Sequence, residues 1–104
     1  MQRVTMVRYT TKPGHAEENE RLSRAVFGEL RDSPPEGVAY ALFRSGDEFI
    51  HVFLNLEADD SAKVTGIPAF KRFEQGMGER CEAKPAVTRL AAELVDCFGF
   101  NAKA

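Results

Sequence analysis

Apolar side chains occupy both faces of the segment Glu48-Phe49-Ile50-His51-Val52-Phe53-Leu54-Asn55-Leu56. Read as a strand, it sends Phe49, His51, Phe53 and Asn55 one way and Ile50, Val52, Leu54 and Leu56 the other. Such a strand has to be covered on both sides. The rest of the chain carries about two helical segments, enough to cover one face. The second face therefore calls for another cover, and a second copy of the same chain can supply it.

The other elements follow from the same patterning. A first strand is expected over 4–9, rich in β-branched and aromatic residues. Pro13 and Gly14 supply the restricted and the permissive φ of a sharp turn. A helix over 15–31 comes next, with Glu17 and Glu18 in the first turn, where the macrodipole favours anions. Leu22, Ala25, Val26 and Leu30 form its apolar stripe. Pro34 and Pro35 end it. A second strand over 38–44 and the connection Ser45-Gly46-Asp47 make a hairpin with the strand already described. Asp59 or Asp60 is placed to cap a short turn through Val64. A helix over 68–80 starts at Pro68, suited to the first helical position. It presents Phe70, Phe73 and Met77 together, and Gly76 and Gly78 weaken its last turns. Val87, Leu90, Ala91, Leu94, Val95 and Phe98 fit a helical period. A third helix would leave three strands in an awkward order, so a last strand is expected over 93–100.

Strand, helix, strand, strand, helix, strand, joined by right-handed crossovers, gives an α+β fold. It is the ferredoxin-like βαββαβ plait, a four-stranded antiparallel sheet with both helices on one face. The helix-free face would carry Val4 and Met6 beside Ile50, Val52, Leu54 and Leu56. Hiding several hundred Å² of apolar surface is worth on the order of 10 kcal/mol before association costs. Two subunits meeting through these faces would form a closed dimeric α+β barrel, with Met6, Ile50, Val52 and Leu54 at the interface.

Composition narrows the setting. At 104 residues, 43% hydrophobic and 29% charged, one domain spanning 1–104 is expected. A net charge of -2 gives no long-range attraction to nucleic acid or anionic membrane. No apolar run approaches the length of a membrane span, and no secretory signal is visible, so a cytoplasmic protein is expected. Cys81 and Cys97 match no zinc or redox spacing and read as free thiols.

Several local features combine into a family likeness. They are the strand-Lys12-Pro13-Gly14-helix entry, the strand start Gly37-Val38-Ala39-Tyr40, and Ile67-Pro68-Ala69-Phe70-Lys71-Arg72-Phe73 after an interrupted helix. Together they resemble the dimeric α+β barrel superfamily, and within it the antibiotic-biosynthesis-monooxygenase-like domains. That resemblance implies a homodimer joined sheet to sheet, with a pocket in each subunit between sheet and helices. The activities it implies are cofactor-independent oxidation of polycyclic aromatic compounds and haem degradation. The haem-degrading branch needs an Asn on the first strand, a Trp near the end of the third and an axial His on the last helix. Val7, Asn55 and Glu74 stand at those places and the chain has no Trp, so the iron would lack its expected ligand and haem degradation is disfavoured. The quinone-forming branch commonly uses Asn, Trp, Tyr and Arg, for which Asn55, Tyr9 and Arg72 are partial equivalents.

Among single residues His51 stands out, placed mid-strand between Phe49 and Phe53 where a partly buried imidazole can exchange a proton near neutral pH. The plainer alternative is a core histidine held by a neighbour. Asn55 could orient a carbonyl or phenolate, or pin the strand end. Tyr9 and Tyr40 could meet a substrate hydroxyl or simply pack. Phe53, Phe70, Phe73 and Met77 could line a pocket or serve as core, with Arg72 and Glu74 at its edge. Two distant histidines give no metal signature, and no phosphate loop or nucleophile elbow is present. Two functional readings remain. One is a cofactor-independent monooxygenase, or binder, of a small hydrophobic aromatic compound, with His51 as proton acceptor and Asn55 as anchor. The other is a non-catalytic ligand-binding or dimerisation module. RNA binding is disfavoured, because the basic start of an RNA-recognition strand is replaced by Asp47-Glu48 and the charge is negative.

Overall fold

The computed structural model describes residues 2–56 and 63–99. Its elements are β1 (Arg3–Thr10), α1 (Ala16–Asp32), β2 (Val38–Ser45), β3 (Glu48–Asn55), α2 (Pro68–Gln75), α3 (Met77–Arg80) and β4 (Ala86–Ala91). The strands form one antiparallel sheet in the order β2-β3-β1-β4, with β1 and β3 central. This is the expected plait. The helices cover one face, and α1 packs on α2. Gly46, with φ of 62°, makes the tight β2–β3 turn that a side chain would strain. Pro68 opens α2 at its first position, and Gly76 breaks the expected long helix into α2 and α3. The proposed cap at Asp59 or Asp60 lies outside the described residues.

Register sorts the two faces. Tyr9 pairs with Phe49, Val7 with His51, Thr5 with Phe53 and Arg3 with Asn55. These rows face the helices, joined from β2 by Leu42, Tyr40 and Val38 and from β4 by Val87 and Arg89. The core gathers there, around Tyr9, Val26, Phe49, Phe70 and Phe73. The opposite rows carry Val4, Met6, Ala39, Ala41, Phe43, Ile50, Val52, Leu54 and Leu90, with no helix of the described residues over them. Phe43 and Leu90 are each more than half exposed there, at 58% and 56%.

Two expectations need correction. The last strand is Ala86–Ala91, not 93–100. Its ladder partner is β1, and pairing runs out when Ala92 donates to the carbonyl of Gln2. Beyond that point β1 has ended, and residues 93–99 belong to no strand or helix, with Val95 and Phe98 almost fully exposed. The apolar stripe of α1 needs one change: Val26 is buried and Leu22 and Leu30 pack against the core as expected, but Ala25 does not join them. Ala25 is exposed, and the face that α1 buries is Ala16, Asn19, Ser23 and Val26. A helix selected by hydropathy alone would turn its two polar side chains outward. Here they are satisfied inside.

Candidate functional site

The sheet ladder builds the site around His51. Val7 and Leu42 lie directly across from it on β1 and β2. The diagonal neighbours are tyrosines, within reach of a long side chain. Tyr9 on β1 places its hydroxyl 2.6 Å from Nε2, and Tyr40 on β2 places its hydroxyl 2.6 Å from Nδ1. His51 and Tyr9 are almost fully buried, at 2% and 5% exposed.

A third layer fixes the direction of these bonds. Buried Arg80 donates through Nε to Oδ1 of Asn19 at 3.0 Å, so the other end of that amide, Nδ2, must face Tyr9. Asn19 Nδ2 donates to the Tyr9 oxygen at 2.9 Å. With its oxygen so occupied, Tyr9 keeps its hydrogen buried unless it donates to Nε2 of His51. The imidazole then carries its proton on Nδ1 and donates to the Tyr40 oxygen. The opposite polarity would strand the deeper hydroxyl hydrogen, which is the costlier choice. Tyr40, half-buried, keeps its own hydrogen for another acceptor. Arg80 also donates to the carbonyl of Phe73 and lies 5.2 Å above that ring.

Burial shifts the whole array towards its neutral forms. It pushes His51 down from 6.5 to about 4. It pushes Tyr9 up to about 12, against the opposing hydrogen bond from Asn19. Burial raises Tyr40 as well, with the nearby Tyr9 adding to the effect. At neutral pH the centre is therefore a neutral phenol–imidazole–phenol chain.

Beside this chain lies a partly open cavity of about 490 Å³. Tyr9 and His51 form its polar floor, and Phe53, Phe70, Phe73 and Met77 its apolar walls. Phe73 approaches His51 at 5.4 Å between ring centres, and Phe53 stands edge-on to Phe70 at 6.3 Å. Arg3, Asn55, Lys63, Glu74 and Arg89 also line it. The cavity therefore includes His51, Asn55, Tyr9, Phe53, Phe70, Phe73, Glu74 and Met77 of the residues the sequence singles out. It does not include Arg72, which is exposed on α2. Leu54 borders the cavity too, although alternation directs its side chain to the outer face with Val4 and Ala39.

His51 and Asn55 are not brought together. Four residues along one strand separate them by about 13 Å, so they cannot hold the same reacting group. Sequence reasoning missed the supporting residues Asn19, Ser23 and Arg80, and missed Tyr40 as the second partner of His51. Asn19 and Ser23 are spaced as one helix face, but Glu17, Glu18, Glu20 and Arg21 around them disguise it. No group of three His, Cys, Asp or Glu able to hold a metal occurs among the described residues. No helix among them is long and apolar enough to cross a membrane.

Comparison with known proteins places the fold. No family model matches the sequence, and no curated relative matches it significantly. Solved structures do match. Rv0793 of Mycobacterium tuberculosis superposes with a TM-score of 0.73 at 21% identity, over 88% of this chain and 95% of its own. A Caulobacter crescentus protein, named only provisionally as an antibiotic biosynthesis monooxygenase, gives 0.72 at 21% identity over 88% and 89%. A structure titled antibiotic biosynthesis monooxygenase gives 0.67 at 21% identity over 88% and 98%. The chain thus shares the fold of these solved structures, a four-stranded antiparallel sheet with helices on one face. Identity this low speaks of fold alone.

Proposed function

We propose that this chain is a homodimer whose cavity takes a small hydrophobic aromatic compound and oxidises it with O2, without a bound cofactor. The observation that carries the reading is the directional chain Asn19–Tyr9–His51–Tyr40, whose two middle members, Tyr9 and His51, form the floor of an aromatic-walled cavity. Both imidazole nitrogens are engaged, so a substrate meets the Tyr9 oxygen first. A phenolic substrate passes its proton to that oxygen as the Tyr9 proton moves onto Nε2 of His51. The substrate is left as a phenolate with carbanion character on the ring, and O2 adds to that carbon. For a naphthol the balance is one naphthol plus one O2 giving one naphthoquinone plus one water, so the substrate supplies all the electrons. Asn55, near the mouth, would hold a carbonyl or hydroxyl at the far end of the ligand.

The outer sheet face supports the dimer. Its nine apolar residues form a surface that a second copy would cover. Cys81 and Cys97 are free thiols, which fits a reducing cytoplasm.

Oxygen uptake with a panel of hydroxynaphthalenes tests the reading. Turnover is expected with at least one, and Tyr9→Phe and His51→Phe should each lower it by about 10²-fold or more. Full turnover in His51→Phe would remove His51 from the mechanism. Binding without oxygen uptake would favour the second reading, a non-catalytic binding module. One observation speaks for that reading. An imidazole lowered to about 4 is a weak base at neutral pH.

A further inference from the structure

Among the described residues the charges lining the cavity are unbalanced: Arg3, Lys63 and Arg89 stand against one carboxylate, Glu74. Arg3 and Lys63 are engaged in other interactions. Arg89 forms no ion pair or side-chain hydrogen bond among the described residues. It lies on β4 opposite Thr5, on the helix-facing side, so a second subunit on the outer face would leave it open. The floor offers an anion nothing comparable. His51 is neutral with both nitrogens taken, and Tyr9 has one remaining acceptor position.

Resting on the cavity reading above, we propose that the ligand is an aromatic acid, with its ionised carboxylate seated on Arg89 and its hydroxyl on Tyr9. Ladder geometry sets the span. Arg89 lies two strands across and one row along from His51, about 12 Å between Cα positions. The two polar groups therefore sit at opposite ends of a flat apolar body that packs on Phe53, Phe70 and Phe73. A guanidinium at a half-open mouth binds a carboxylate through charge-assisted hydrogen bonds that a neutral amide cannot match. Because the mouth is open, added salt weakens the preference.

A matched pair tests this: 6-hydroxy-2-naphthoic acid, with its polar groups at opposite ends, and its primary amide. Calorimetric titration at pH 7 should find the acid about tenfold tighter, a difference of about 1.4 kcal/mol, and less so in 0.5 M salt. Arg89→Gln should abolish the preference by weakening the acid alone, and Arg89→Lys should restore part of it. Equal affinity for the two compounds, or an Arg89→Gln protein that still prefers the acid, would overturn the assignment and leave the aromatic cavity intact. Equal weakening of both compounds in Arg89→Gln would also overturn it. If neither compound binds the wild-type protein, the cavity reading falls together with it.

Discussion

Burying a neutral histidine makes stability depend on pH in a direction that can be worked out beforehand. His51 titrates at its ordinary 6.5 in the unfolded chain and at about 4 in the fold. Between those values the unfolded chain binds the extra proton and the fold does not, so unfolding is favoured as pH falls. The loss begins near pH 6.5, steepens to about 1.4 kcal/mol per pH unit and levels off below pH 4. It amounts to about 2 kcal/mol at pH 5 and about 3 kcal/mol at pH 4, from the values of 6.5 and about 4. In urea the midpoint should fall by about 1–2 M between pH 7.5 and 5. Other groups titrate over the same range, so His51→Phe serves as the reference. That variant starts less stable, because the hydroxyls of Tyr9 and Tyr40 lose their partner, but it lacks this component of the slope. The assay is urea unfolding of both proteins at one concentration over pH 4.5–7.5. Parallel losses in the two proteins would refute the reasoning, as would an NMR titration placing His51 near 6.5.

Three further outcomes are expected. Phe49→Ala empties a site with no solvent exposure against Tyr9, at 5.6 Å between rings, and should cost about 3–5 kcal/mol in thermal or urea unfolding. Asn19→Leu leaves Arg80 and Tyr9 without their shared partner and should cost about 2–4 kcal/mol. A loss under 1 kcal/mol would show that the array carries little of the fold's stability. Val52→Glu puts a carboxylate between Met6 and Ala41 in the centre of the outer face. Sedimentation should then report a single subunit where wild type reports two, and a wild-type single subunit at micromolar concentration would remove the dimer.

What the chain declares by itself is its periodicity. Alternation over 48–56, the prolines after α1 and Gly46 between two strands are local signals, and they suffice for the order of elements and for the face on which His51 lies. Phe53, Phe70, Phe73 and Met77 are legible as candidate wall residues, and Tyr9 as a neighbour of theirs, because strand and helix periods put them on the same side. The partners of His51 were not legible. Tyr9 and Tyr40 reach it by diagonal contacts across two ladders, and those depend on register. Asn19 and Arg80 lie 61 residues apart and meet only when α1 and the end of α3 are folded over the sheet. The last strand shows the same division. Its sequence suits helix or strand, and its C-terminal limit falls where β1 starts, at the pair Arg3 and Ala91. Side-chain period is a property of neighbours along the chain, whereas a buried polar group is tolerated only if distant groups satisfy it, and that is settled in three dimensions.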